Sequence, residues 1–142
     1  MSKHGLSISD YPLAEVRPEL VKGRRGKSLD EITLSAVLED RVGLEDLRIT
    51  GKALRQQAEI ARAAGRPTLA QNFERAAELA DIPQDVIMRA YELLRPGRAR
   101  SKEEILAVAK EFRETYAAVL VPAFIEEAAA IYEQRGLFNR RF

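Results

Sequence analysis

From Leu29 onward apolar residues recur at helical spacing, with polar residues filling the positions between them. Leu34, Val37 and Leu38 share one face of a short first helix that ends around Arg41–Gly43, and Asp30 supplies an anion near its start. Thr50 is placed to cap a second helix through Ala64, whose Leu54, Ala58 and Ala61 line one side before Gly65 stops it. Pro67 suits the first turn of a third helix, in which Leu69, Phe73, Ala76, Ala77 and Ala80 form a stripe containing residues small enough to admit a neighbouring backbone. Pro83 starts a fourth in the same way, carrying Val86, Ala90, Leu93 and Leu94 until Pro96-Gly97 breaks it. Ser101, with Glu104 three residues on, has the spacing of a capping box for a fifth helix. Its stripe runs Ile105, Ala109, Phe112, Tyr116, Val119, Leu120 and Ala123, then Phe124, Ala128, Ile131 and Tyr132, to a stop at Gly136. Pro122 lacks an N–H and would clash with the carbonyl of Ala118, so a kink or break is expected near Val121.

Residues 1–29 show neither period, yet they carry Tyr11, Pro12, Leu13, Val16, Pro18 and Leu20. Each proline holds its preceding neighbour extended, which reads as an arm lying along a surface of this chain or of a partner. No run of alternating β-branched residues competes with the helices. The expected fold is all-α: an open up-and-down helical bundle over 30–142, with an extended N-terminal arm over 1–29 and a long C-terminal helix kinked or broken near Pro122.

Composition narrows what such a bundle can do. The 142 residues are 46% apolar and 32% charged, which is ordinary for one soluble domain, and no apolar run reaches the ~20 residues of a membrane span. The first residues resemble neither a secretory signal nor a transit peptide, so the cytoplasm is the expected compartment. With 23 basic and 22 acidic side chains the net charge is +1, too balanced for the electrostatic footprint of a nucleic-acid binder. The local basic clusters, Arg24/Arg25/Lys27, Arg95/Arg98/Arg100/Lys102 and Arg135/Arg140/Arg141, read as solvated loops and helix ends, or as docking points for an acidic partner.

Candidate chemistry is sparse. There is no cysteine, which excludes disulfides, thiolate metal sites, iron–sulfur clusters and cysteine nucleophiles. The single histidine, His4, lies in the irregular arm, and one histidine cannot furnish the paired Glu-x-x-His motifs of a di-iron bundle. Glu74, Glu78, Glu103, Glu104, Glu126 and Glu127 lie near basic residues or on outer helix faces, and Glu74 and Glu78 read as solvated helix charges. Phe73, Phe112, Tyr116, Phe124 and Tyr132 sit on the stripes and read as core. No catalytic, cofactor or metal residue emerges, and a helical interaction protein fits better than a self-sufficient enzyme.

Particular strings carry more than periods do. Ser9-Asp10-Tyr11-Pro12-Leu13, Asp46-Leu47-Arg48-Ile49-Thr50, Asn72-Phe73-Glu74-Arg75-Ala76-Ala77-Glu78-Leu79, Ile82-Pro83 and Leu94-Arg95-Pro96 occur in an order and spacing that resemble the small subunit of coenzyme B12-dependent diol and glycerol dehydratases, from about Ser9 to Tyr132. The resemblance implies a hydro-lyase assembly with two copies each of a large, a medium and a small subunit. Adenosylcobalamin would lie between the large and medium subunits, and the diol inside the large subunit's barrel beside a metal ion. There an adenosyl radical abstracts hydrogen, the hydroxyl migrates, and water leaves to give an aldehyde. It also implies that the small subunit contributes packing and no catalytic group. Within the matched strings Tyr11, Pro12, Leu13, Arg48, Asn72, Arg75 and Arg95 are the expected partner contacts. Pro122 and Gly97 depart from the family's pattern, which bears on local helix geometry. Some family members carry a longer N-terminal extension associated with microcompartments. The short stretch before Ser9 leans towards a glycerol-dehydratase-like or unencapsulated enzyme. The competing reading is a helical adaptor outside any dehydratase.

Overall fold

The computed structural model describes residues 5–138, and among them the elements are helical apart from one isolated bridge between Lys22 and Ser28. The all-α class is borne out. The chain forms two compact units, Met1–Ala80 and Asp81–Phe142. The first holds α1 (Leu13–Val16), α2 (Leu34–Leu38), α3 (Leu44–Leu47), α4 (Gly51–Ala63) and α5 (Pro67–Leu79). The second holds α6 (Gln84–Leu94), α7 (Lys102–Tyr116) and α8 (Leu120–Gln134).

In the first unit α4 and α5 pair as an antiparallel hairpin. Thr50 Oγ1 accepts the Ala53 N–H at 3.1 Å, Gly65 at φ 71° ends the helix, and Pro67 occupies the first turn of α5, where its missing N–H costs nothing. Ala58, Ala61 and Ala70 form the seam, with Phe73 half-buried against it, and Arg62 pairs with Glu74 at 2.7 Å across the two helices. The helices approach so closely that a Cβ at Gly51 would lie 3.1 Å from the carbonyl oxygen of Ala77. This closeness corrects the expected stripe. Ala70 is fully buried while Leu69 is exposed, because a seam made of alanines leaves the bulkier side chains only its margins.

The first predicted helix is mostly not one. A 3-10 turn at Leu29–Glu31 precedes α2, which is capped by Thr33, whose Oγ1 accepts the Ala36 N–H at 3.2 Å. It ends after little more than one turn, where the N–H groups of Arg41 and Val42 both donate to the Ala36 carbonyl. Leu34, Val37 and Leu38 share a face as expected, but that face is exposed, and Ala36 and Val42 are buried instead. Periodicity identifies residues on a common face. It does not say whether that face meets the chain's own core.

Residues 5–29 are not extended throughout. A 3-10 turn at Ile8–Asp10 is closed by the Asp10 carboxylate, which accepts the Ser7 N–H at 2.8 Å; α1 and a second 3-10 turn, Pro18–Leu20, follow. Extended backbone persists at Tyr11, before the cis Tyr11–Pro12 bond, as proline sterics require. The segment runs along α4 of its own chain. Leu6 N–H donates to Glu59 Oε2 at 3.0 Å, and Leu13 is buried.

In the second unit Pro83 is the residue before α6 rather than its first, and Val86 and Ala90 are buried as the pattern predicts. Ser101 Oγ accepts the Glu104 N–H at 3.3 Å, but the Glu104 carboxylate turns to the N–H of Arg100 at 2.8 Å, so the capping box is not reciprocal. Ile105, Val108, Ala109 and Phe112 of α7 are buried, as are Val121, Pro122, Ile125 and Ala129 of α8. The two helices run antiparallel, tied by Arg113 to Glu126 at 2.6 Å and by Lys102 to Glu133 at 2.6 Å. Arg89 of α6 pairs with Glu111 of α7, and the Tyr132 hydroxyl donates to the Leu94 carbonyl.

The long last helix is two helices, and the break falls before the proline. Helix α7 ends at Tyr116, Ala117 turns left-handed at φ 53°, and α8 begins at Leu120. Pro122 is then the third residue of a new helix, where its N–H would have had no partner, and Ala118 lies outside the helix, so the anticipated clash does not arise. The interruption also shifts the phase of the stripe. Phe124 and Ile131, expected in the core, are exposed, and Ile125 takes their place. An alanine in left-handed backbone is strained by roughly 1–2 kcal/mol. Part of that returns as lost backbone entropy in a glycine variant, so Ala117→Gly should raise unfolding stability by roughly 0.5–1 kcal/mol, read by urea denaturation.

Candidate functional site

Polar side chains are largely committed to holding the fold. Among the described residues no group of three or more His, Cys, Asp or Glu is placed to hold a metal ion, and no buried side-chain nitrogen or oxygen lacks a hydrogen-bond partner. Of the carboxylates weighed above, Glu74 and Glu126 pair with arginines, and Glu104 holds the entry of α7. His4 and the pair Arg140 and Arg141 lie outside the described residues.

The buried charge among the described residues is Asp46, at the third position of α3. Its Oδ1 accepts from Arg25 Nε at 2.8 Å, and its Oδ2 from a terminal guanidinium nitrogen of Arg25 and from the Gly43 N–H at 3.0 Å. Those donors, the Arg25 hydrogen bond first, hold the Asp46 carboxyl down at about 2. The arrangement fastens the turn around Lys22–Ser28 to α3. It is also tight, since a Cβ on Gly23 would lie 2.8 Å from the Asp46 carbonyl oxygen.

A pH dependence follows. The carboxyl titrates near 3.8 when free of the fold and lower within it, so its stabilisation is complete above about pH 4 and is lost as pH falls towards 2. In Asp46→Asn the melting temperature should be lower than that of the parent chain at pH 6, and the two curves should converge between pH 4 and 2. Equal melting temperatures at pH 6 would remove Asp46 from the account.

Among the clefts formed by the described residues, two lie on the first unit. One, of about 420 Å³, lies between the N-terminal segment and the α4–α5 hairpin, lined by Ile8, Tyr11, Ile60, Leu69 and Phe73, with Gln57 and Arg66 as its polar members. The other, of about 480 Å³, is lined by Leu6, Leu20, Arg17, Lys52, Arg55 and Glu59.

The expected contact residues are spread over the chain rather than gathered in one pocket. Tyr11 and Pro12 are exposed beside the first cleft, while Leu13 is 5% exposed and packs into the chain's own core. Asn72 Oδ1 accepts from Arg75 at 2.5 Å one turn along α5. Arg48 and Arg95 are exposed next to Glu45 and Glu92, at 2.8 and 3.2 Å, each just past the end of a helix, α3 and α6. Sequence reasoning missed a second set: Leu34, Val37, Leu38, Leu44, Leu47 and Ile49 are all exposed within sixteen residues. The available signal was the shortness of the helices that carry them, which cannot bury an apolar face on two sides.

Fold and surface together describe an all-helical chain that spends its polar groups on internal ties and turns large apolar side chains outward. The family model described as dehydratase small subunit matches residues 6–139. The chain is 48% identical over 134 residues to the propanediol dehydratase small subunit of Citrobacter freundii, covering 94% of this chain and 77% of that one. It is 50% identical over 128 residues to the propanediol dehydratase small subunit of Salmonella typhimurium (strain LT2), covering 90% and 73% respectively. The chain belongs to the dehydratase small subunit family.

Proposed function

We propose that the chain is the non-catalytic small subunit of an adenosylcobalamin-dependent dehydratase that converts propane-1,2-diol or glycerol to an aldehyde. The observation that carries this reading is 48% identity across 94% of the chain to a propanediol dehydratase small subunit. A small subunit implies other subunits, and the dehydratase family implies coenzyme B12 in the complex. On this reading the partners are a large and a medium subunit, two copies of each subunit assemble, and cobalamin sits on the partners.

The described residues support the reading that the cofactor is held by the partners. A corrin ring with its nucleotide and adenosyl arms is far larger than either cleft of about 420 or 480 Å³, and the described residues offer no metal-holding cluster. No step of the reaction is therefore routed through them. Their part is to support the partner that positions the cofactor and shields the radical. Tyr11, Pro12, Arg48, Asn72, Arg75 and Arg95 are proposed to touch that partner. Leu13 is proposed to act from inside, holding Tyr11 and Pro12 in place from the core. Residues 1–29 serve as the arm and 30–142 as the helical body. No helix among the described residues is long and apolar enough to cross a membrane, and the assembly is proposed to work in the cytoplasm.

The test is reconstitution. Large and medium subunits of a propanediol dehydratase, given adenosylcobalamin and propane-1,2-diol or glycerol, should turn over fully only when this chain is added, and the chain alone should be inert. Turnover by the pure chain, or equal activity without it, would overturn the reading.

A further inference from the structure

Six large apolar side chains between Leu34 and Ile49 are left outside the core. Leu34, Leu38 and Leu44 are 75%, 77% and 82% exposed, and Leu47 and Ile49 more than half. Such side chains are ordinarily the first a folded chain hides, and isolated ones need no explanation, but six fall here within sixteen residues. It is also held firmly. Ala36 and Val42 anchor α2 and its turn from beneath, and the buried Asp46 carboxylate, gripped by Arg25, anchors α3.

Two pairs of neighbouring charges are already matched to each other, and Asp40 is the exposed acid among them. Arg41 pairs with Glu39 at 2.7 Å, and Arg48 with Glu45 at 2.8 Å. Exposed apolar side chains among charges that are mostly paired with one another have the composition of a protein–protein interface, which is depleted of free charge. The size agrees. A fully exposed aliphatic side chain offers on the order of 60–120 Å² of apolar surface. Six at these exposures come to roughly 235–470 Å², from about half to nearly all of the apolar share, about 60%, of the ~800 Å² that one side of a stable interface buries.

We infer that Leu34–Ile49 is the docking face by which this chain seats on a partner subunit of the dehydratase, against a complementary apolar surface with few charges. This rests on the proposed function, since membership of a hetero-subunit assembly is what supplies an obligate partner for so apolar a face. A second copy of this chain is the other occupant of matching chemistry, and the experiment separates the two.

The experiment uses the full chain co-expressed with the large and medium subunits, with Leu38→Glu and Leu44→Glu introduced singly and together. Because these side chains are exposed, the free variants should keep the parent's circular dichroism and melting temperature. Affinity for the partner subunits should fall on the order of 30-fold or more per substitution if these are hot-spot residues. Amide exchange in the parent supplies a second readout independent of folding, with residues 34–49 more strongly protected in the complex than in the free chain. Folded variants that assemble like the parent, or equal exchange in both states, would overturn the inference. So would a parent chain that dimerises through this face while the variants are monomeric yet still assemble. If the parent itself fails to join the partner subunits, the proposed function fails instead.

Discussion

Phe112→Ala should destabilise the second unit by about 3–5 kcal/mol, a large fraction of the ~5–15 kcal/mol that holds a typical domain together. The ring is 1% exposed, on the stripe of α7 that Ile105 and Ala109 share, and the edge of Tyr116 meets it at 6.2 Å between centroids. Two antiparallel helices tied at Arg113–Glu126 and Lys102–Glu133 cannot collapse freely into the space it would leave. The cavity term therefore adds to the lost transfer energy. Urea denaturation followed by circular dichroism reads the loss. Phe73→Ala is the comparison: that ring stands at the same kind of position in the sequence pattern but is only half-buried at the edge of a cleft, so its cost should be clearly smaller. Equal losses for the two would mean that the burial of Phe112 has been misjudged.

The second large effect concerns size rather than loss of size. Ala70→Leu should cost about 1–3 kcal/mol, because the added carbons must enter a seam where Ala58, Ala61 and Ala70 already meet. The neighbouring change Leu69→Ala should cost less than about 1 kcal/mol, since Leu69 lies at the margin of the same hairpin, more than a third exposed. The sequence stripe alone ranks these the other way. A small loss at Ala70 with a large one at Leu69 would indicate that α5 is rotated about its axis relative to the packing described.

What could be read from residues alone divides along a physical line. Helix ends were legible where one side chain or one backbone conformation decides them: Thr50 and Ser101 as caps, Gly65 as a stop, Pro67 in a first turn, and Pro96-Gly97 as a break. Those signals are local. Which face of a helix meets the core was legible only where the stripe was long, as at Ile105, Ala109 and Phe112. At Leu34, Val37 and Leu38 the spacing was right and the direction wrong, because a helix of five residues is oriented by what its small residue, Ala36, can press against. The break before α8 escaped for a related reason. Pro122 was seen as the disturbance, whereas a left-handed Ala117 releases the chain first and turns the proline into an acceptable early residue.

The candidate site shows the same division. The matched strings nominated Tyr11, Pro12, Leu13, Arg48, Asn72, Arg75 and Arg95 as partner contacts without showing that Leu13 among them is buried. The Arg25–Asp46 tie joins residues twenty-one positions apart and has no signature in the sequence. The exposed Leu34–Ile49 stretch became visible only once the chain's own core was accounted for.

The claim at the centre is that this chain contributes surface to an enzyme whose chemistry is housed in other subunits. Native mass spectrometry of the active complex, isolated through a tag on the proposed large subunit, tests it most directly. The account predicts that the chain is present in a fixed ratio to its partners, and that stripping it away lowers turnover together with the integrity of the complex. A complete and fully active complex in which the chain is never found would contradict it.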